Sequence, residues 1–407
     1  MAFAVAWALA TLAVGCAGAG PEVESTPLKT TSTPTSIHPT SRAIEGSASR
    51  PLLYQGLEND DIVERVVTLG VELDGTALGT VATATGVSWA PDGARLAFVT
   101  PGGMSVNVKP FLGEETTVFT APTKFHPNYP WTTWSPDGES VAIINMWWCG
   151  DGSRTSTLVV IDPDTGNKLQ EWGPFAFWDA RGTEWGPTNF TQPRSFRWSP
   201  DGTRLLVAWD QVAIINVETG KFSLIFDGPA AAEWSPDGEG VYYLEMDGAK
   251  YSRNGAMSGL YFAPLGGDGK IDGEAIKVLD FLSAESESGA GYSPTGVTLM
   301  SLSPDGSTMA ISSGSTELLR SRIRFYETRA DGSITFSNPT RELSIEELVL
   351  AVEWAPDSSG VATFTMGESG ASINVYEFAA QTWNTLATPE ISLAQLESLP
   401  KILSWAR

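Results

Sequence analysis

Aromatic and acidic side chains crowd four stretches of this 407-residue chain. NMWWCGDGSRTS (145–156) carries Trp147, Trp148 and Asp151. GPFAFWDARGTEWGPTNFTQPR (173–194) carries Phe175, Phe177, Trp178, Asp179, Glu184, Trp185 and Phe190. MDGAKYSRNGAM (246–257) offers Tyr251 and Arg253, and SAESESGAGYSPTG (283–296) offers Glu285, Glu287 and Tyr292. Exposed aromatic faces stack on sugar rings or seat peptide anchors, while carboxylates accept hydrogen bonds from hydroxyls or hold cations. The candidate ligand-binding set is therefore Trp147, Trp148, Asp151, Trp178, Asp179, Trp185, Tyr251, Arg253 and Tyr292. The alternative role for these aromatics is to pack long loops down onto a scaffold.

Catalytic machinery is harder to assemble. The two histidines are His38 and His126, and no G-x-S-x-G elbow accompanies them, so a Ser-His-Asp site lacks its parts. One histidine outside the N-terminal region cannot supply a histidine-rich metal site. GGDGKIDGE at Gly266 departs from the D-x-[DN]-x-[DN]-G order of a calcium loop and reads as a hairpin turn. Cys149, in WWCGDG, has no neighbouring cation to lower its thiol pKa and reads as a small hydrophobe. No catalytic residue, metal or cofactor is predicted. Glycoside hydrolysis needs only two carboxylates, which keeps one enzymatic reading open.

The elements that must carry these stretches come from a repeat. VSWAPDGARLAFVT begins at Val87, TWSPDGESVAIIN at Thr133 and RWSPDGTRLLVAW at Arg197. EWSPDGEGVYYLE follows at Glu233, SLSPDGSTMAISS at Ser301 and EWAPDSSGVATFT at Glu353. Pro presets φ, Asp caps turn amides and Gly accepts positive φ, so each copy is a tight turn between two strands. The unit at Pro356 has PDSSG for PDG, and a turn longer by one or two residues is expected there. The shortest interval, between Trp198 and Trp234, reads as four short strands: SFRWS, TRLLVAW, VAIINVET and FSLIFDG. Four-stranded units recurring in this way bury their faces only against each other, which predicts an all-β propeller. The repeat tryptophans are assigned to its core. In such a blade the PDG turns share one face of the disc, and the four aromatic-acidic stretches fall on the opposite face. Two of them belong to the Trp134 unit and two to the Trp234 unit, so they should wall a groove over the minimal Trp198 unit.

W-S-P-D-G between the first two strands resembles the TolB-like and WD-repeat propellers, over residues 51–407. TolB-like relatives serve as interaction platforms in the cell envelope, and the resemblance implies that kind of role. The α/β domain that precedes the propeller in TolB has no counterpart in the stretch before residue 51.

The two ends of the repeat region set the blade count. Ser404-Trp405-Ala406 repeats Ser88-Trp89-Ala90, and PLLYQG, RVVTLGVEL and ALGTVATA read as second, third and fourth strands lacking a first. Pairing the last strand with these three closes a ring of seven blades of four antiparallel strands. Six blades, with residues 51–85 outside the ring, is the alternative.

Before the repeat the composition changes. Residues 2–15, AFAVAWALATLAVG, are an apolar run too short for a comfortable membrane span, and A-V-G-C then resembles a bacterial lipobox with Cys16 as the lipidated residue. That resemblance implies a signal peptide over 1–15 and a lipid anchor on Cys16, although Ala13 stands where the family usually has Leu. Sixteen of the thirty residues from Pro21 to Arg50 are Pro, Ser or Thr, which makes 16–50 a flexible tether reaching roughly 30 Å. With Cys16 lipidated, Cys149 has no disulfide partner.

Formal net charge is −23, from 48 acids and 25 bases, and such a field excludes nucleic acid as a partner. The leading expectation is a membrane-anchored, extracytoplasmic propeller (cell surface or periplasm) that binds a protein or glycan through its insertion-bearing face. A polysaccharide-active enzyme with paired groove carboxylates is the alternative, and a structural surface protein is the third. Oligomeric state is not legible.

Overall fold

The computed structural model describes residues 51–405 apart from 61–62, 83–84, 101–104, 112, 122–126, 149–153, 176–194, 209–210, 229, 247–256, 268, 280–297, 316–318, 329–338 and 390–402. Among the described residues twenty-eight strands form seven four-stranded antiparallel sheets, the blades of a β-propeller. Blade 1 comprises β4 (Thr85–Trp89), β5 (Arg95–Val99), β6 (Ser105–Pro110) and β7 (Thr116–Thr120). Blade 2 comprises β8 (Pro127–Trp134), β9 (Val141–Trp148), β10 (Arg154–Ile161) and β11 (Lys168–Phe175). Blade 3 comprises β12 (Ser195–Trp198), β13 (Arg204–Ala208), β14 (Val212–Asn216) and β15 (Phe222–Phe226). Blade 4 comprises β16 (Ala230–Trp234), β17 (Gly240–Met246), β18 (Met257–Pro264) and β19 (Ile276–Leu279). Blade 5 comprises β20 (Thr298–Leu302), β21 (Thr308–Ser315), β22 (Arg320–Glu327) and β23 (Arg341–Ile345). Blade 6 comprises β24 (Leu348–Trp354), β25 (Gly360–Gly367), β26 (Gly370–Glu377) and β27 (Thr382–Ala387).

Blade 7 joins the two ends of the repeat region. β28 (Leu403–Trp405) pairs with β1 (Leu52–Asp60), which continues through β2 (Val63–Val71) to β3 (Ala77–Ala82). The register sets Leu52 opposite Trp405 and Leu53 opposite Ser404. The ring therefore closes on seven blades, as the Ser404-Trp405-Ala406 echo predicts, and the six-blade alternative falls.

Why these sequences stack is visible in the core. Seven apolar clusters fill the seven boundaries, one between each pair of neighbouring blades. Second and third strands alternate faces, so Val141 and Ile143 meet blade 1 while Ala142 and Ile144 meet blade 3. A blade alone would expose both faces, and the hydrophobic gain exists only in the closed array. Trp89, Trp134, Trp198, Trp234 and Trp354 are all buried at these boundaries.

The PDG turns repeat one geometry. Ser235 N donates to Gly240 O and Gly238 N to Ser235 O, both at 2.9 Å, while Ser235 Oγ accepts from Gly240 N at 2.8 Å. Asp237 Oδ1 accepts from Glu239 N at 2.9 Å, and Gly238 takes φ +73°. At Pro356 the structure corrects the expected longer turn. Ala355 N donates to Gly360 O and Ser358 N to Ala355 O, the same spacing as in the other turns. Ser358 adopts φ 60° in place of glycine, so the turn keeps its length and places a non-glycine residue in the left-handed region.

Successive turns interlock. Arg95 reaches from blade 1 over the Trp134 ring (4.8 Å) and donates to Gly138 O (2.9 Å). Arg204 does the same to Trp234 (5.1 Å) and Gly238 O (2.8 Å). That face is thus occupied in holding its own turns together.

Candidate functional site

The opposite face carries the second-to-third turns and the crossings between blades. Its relief follows from strand lengths. In every blade the anchor residue at the end of the innermost strand faces an equivalent residue of the second strand: Leu96, Val141, Leu205, Val241, Met309, Val361 and Leu52. Beyond that level the second strand runs on to Val99, Trp148, Ala208, Met246, Ser315, Gly367 and Asp60. Those extensions are 3, 7, 3, 5, 6, 6 and 8 residues in blades 1 to 7. At about 3.3 Å per residue, the blade 2 hairpin rises roughly 13 Å above blades 1 and 3, and blade 4 rises about 7 Å above blade 3.

Blade 3 is accordingly low between two raised neighbours, as the loop pattern predicts. Counted to the described strand ends, blade 1 matches blade 3, however, and the nine-residue strands β1 and β2 of blade 7 extend furthest. Neither was anticipated, because strand height is not written in any turn motif.

The candidate residues distribute unevenly. Trp147 and Trp148 lie in β9, with Trp147 opposite Thr155 and Trp148 opposite Arg154. The stretch 145–156, expected as a loop, is therefore largely an extended hairpin, whose aromatic and β-branched residues prolong the ladder. Trp147 also faces Pro127 of β8. Asp151, Trp178, Asp179, Trp185, Tyr251, Arg253 and Tyr292 lie outside the described residues, as do Cys16 and Cys149. The end of β11 at Phe175 and the start of β12 at Ser195, like the end of β17 at Met246 and the start of β18 at Met257, lie on this face, and 176–194 and 247–256 between them lie outside the described residues. GGDGKIDGE is a hairpin turn, closed by Gly266 N to Lys270 O at 2.8 Å and a Leu265–Ile271 bridge.

A second constellation was missed by the sequence reading. The residue before each anchor occupies one register level around the central axis: Ser88, Thr133, Arg197, Glu233, Ser301, Glu353 and Ser404. Arg197 Nε lies 3.1 Å from Glu233 Oε2, and the Glu233 side chain is only 10% exposed. Glu233 foremost, and Glu353 to a lesser degree, raise the Arg197 pKa against the opposing effect of burial. Arg197, Glu233 and Glu353 come from blades 3, 4 and 6, so the field of Glu353 reaches Arg197 across the channel. A column of the residues preceding each anchor would have revealed three charges among hydroxyls. Their convergence needs the curvature of the ring.

On the raised face between blades 5 and 6, Glu347 accepts from Ser372 Oγ (2.9 Å) and from Thr365 Oγ1. Asn374 Nδ2 donates to Ser372 Oγ at 3.0 Å. Both bonds fall on one carboxylate oxygen, Oε2. Among the described residues no group of three or more His, Cys, Asp or Glu side chains is arranged to hold a metal ion.

The fold and this relief define the chain as a β-propeller of seven four-stranded blades. No protein-family model and no curated protein matches it in sequence. Solved structures do match in shape. A Bacteroides uniformis protein described as a candidate 6-phosphogluconolactonase superimposes with TM-score 0.52 at 15% identity, covering 88% of this chain and 100% of its own. The acylaminoacyl peptidase of Pyrococcus horikoshii gives 0.53 at 13%, over 83% of this chain and 52% of its own, so this chain spans about half of that enzyme. The β-propeller domain of the trilobed protease from Pyrococcus furiosus gives 0.51 at 13%, over 84% and 98%. At such identities the likeness is one of fold.

Proposed function

We propose that this protein is a lipid-anchored, extracytoplasmic binding module. In this reading 1–15 are the signal peptide, Cys16 bears the lipid, 16–50 form the tether, and the propeller displays its raised face to a protein or glycan of the cell envelope. The observation that carries it is the asymmetry of the disc. One face is spent on interlocked PDG turns, whereas on the other the second strands of blades 2 and 4 run beyond that of the low blade 3. Loops raised on a rigid scaffold are where binding residues concentrate. The W-S-P-D-G resemblance to envelope propellers and the lipobox-like A-V-G-C support the location. A glycan array and a pull-down from envelope extract test the reading. Specific capture by the native chain, lost when residues 174–192 are deleted, is the expected result. Equal capture by the deleted chain overturns the site.

A further inference from the structure

The repeat supplies its own reference for how an innermost strand is held. Across four boundaries the anchor indole clamps the preceding blade by donating to the carbonyl just before that blade's own anchor. Trp134 Nε1 donates to Ser88 O (3.2 Å), Trp198 to Thr133 O (3.2 Å), Trp234 to Arg197 O (3.3 Å) and Trp354 to Ser301 O (3.0 Å). At the boundary between blades 4 and 5 the anchor is Leu302, which has no such donor.

Trp89 is the exception among the described anchor tryptophans. The equivalent acceptor would be Ser404 O, in β28. Trp89 is 8% exposed and its Nε1 is buried, yet it has no hydrogen-bond partner. A buried donor without an acceptor opposes folding, and here the strand it should clamp goes unclamped. That strand, described over Leu403–Trp405, pairs with Leu52, Leu53 and Tyr54 of β1. It is the one innermost strand joined to the rest of its sheet by hydrogen bonds and not by a short turn, because β1 lies at the other end of the repeat region.

We infer that β28 exchanges, and that the inner edge of β1 is a strand-acceptor site filled here by the chain's own last strand. Its ligand class is an extended peptide with a polar residue before an aromatic one. The six anchored strands Ser88-Trp89, Thr133-Trp134, Arg197-Trp198, Glu233-Trp234, Glu353-Trp354 and Ser404-Trp405 all show a polar residue followed by tryptophan at that place. Leu52 and Leu53, beside the strand in register, are fully buried and Tyr54 nearly so, with Leu52 and Tyr54 packed toward blade 6 and Leu53 toward blade 1, so the vacated edge is an unpaired backbone edge flanked by apolar side chains. Release would leave β1–β3 held to blade 6 through Leu52, Tyr54 and Val71 and to blade 1 through Leu53 and Ala82, with the inner backbone edge of β1 open.

Hydrogen exchange on the full chain, with residues 403–405 compared against 196–198 of β12, tests the first half. The expected result is exchange at least about 10-fold faster in β28. The second half is tested with a fluorescein-labelled peptide of residues 401–407 (KILSWAR), a scrambled control and a chain shortened after residue 400. Saturable binding of KILSWAR to the shortened chain, at least about 10-fold tighter than to the full chain, is expected. Equal protection of the two strands overturns the inference, and so does a folded shortened chain that ignores the peptide. Should the shortened chain not fold, the exchange comparison on the full chain decides alone.

Discussion

The indole nitrogen of Trp198 donates to the carbonyl oxygen of Thr133 at 3.2 Å, across the boundary between blades 2 and 3. This bond turns a core residue into a rivet: the ring fills the apolar boundary while its one polar atom fixes the neighbouring blade in register. Replacing Trp134, Trp198, Trp234 or Trp354 by Phe keeps an aromatic ring but deletes the donor. Each change should cost about 1 kcal/mol more than Trp89→Phe, whose donor has no acceptor to lose. Denaturant midpoints at constant m-value measure it.

Arg197 pairs with Glu233 of the next blade and lies in the weaker field of Glu353. Arg197→Met should destabilise by about 2 kcal/mol, because Glu233 is left buried and charged. The cost falls short of a fully buried pair, since Arg197 keeps 40% of its side-chain surface accessible. Adding Glu233→Gln to Arg197→Met should recover part of the loss. A double-mutant cycle by chemical denaturation reads the coupling.

Acid sensitivity should reside in the turns. Burial pushes the Asp201 carboxyl up, but hydrogen bonds from Ser199 and Thr203 and the charge of Arg204 outweigh it and hold the pKa below 3.8. Asp305 is lowered in the same sense, with bonds from Ser303, Ser307 and Ser358 overcoming burial. A carboxylate whose folded-state pKa is depressed adds stability above its ordinary value, and that stability is lost as pH falls through the folded-state pKa. Stability should therefore decline as the medium is acidified below about pH 4. Asp201→Asn combined with Asp305→Asn should flatten the decline. Thermal melts from pH 7 down to pH 2 check both.

Glycine at the turns is needed to different degrees. Gly202 has φ +69° and room for a Cβ, which would meet Pro136 Cδ at an ordinary van der Waals distance of 3.7 Å. Gly306 has φ +71°, but its Cβ would meet Pro236 Cβ at 2.6 Å. Gly202→Ala should cost about 1 kcal/mol, the price of the left-handed conformation that Ser358 already tolerates. Gly306→Ala should cost clearly more, because Pro236 must also move. Paired unfolding curves separate the two.

Much of the fold was legible because each tight turn announces itself. Ser-Pro-Asp-Gly marks the first hairpin of a blade, and the Ser404-Trp405-Ala406 echo reveals how the ring closes. The same turn chemistry misled at Pro356, where serine takes over glycine's φ and leaves the length unchanged. Site features were legible only in part. Which connection carries an insertion follows from strand parity, so the stretches at 173–194 and 246–257 could be placed on one face. Whether an insertion is loop or ladder does not, which is why Trp147 and Trp148 turned out to be strand residues. Arg197, Glu233 and Glu353 stood unread because they lie 36 and 120 residues apart along the chain and meet only when the ring closes.

The central claim is that partners are bound on the raised face and not on the PDG face. The most direct measurement is the affinity of one captured partner or array glycan for three chains. These are the native protein, the chain lacking residues 174–192, and Glu139→Lys/Glu239→Lys, which reverses two exposed charges beside the PDG turns. The account predicts at least about a 10-fold loss of affinity for the deletion and less than about a twofold change for the double reversal. A deletion that binds like the native chain, with affinity lost in the double reversal, would contradict it.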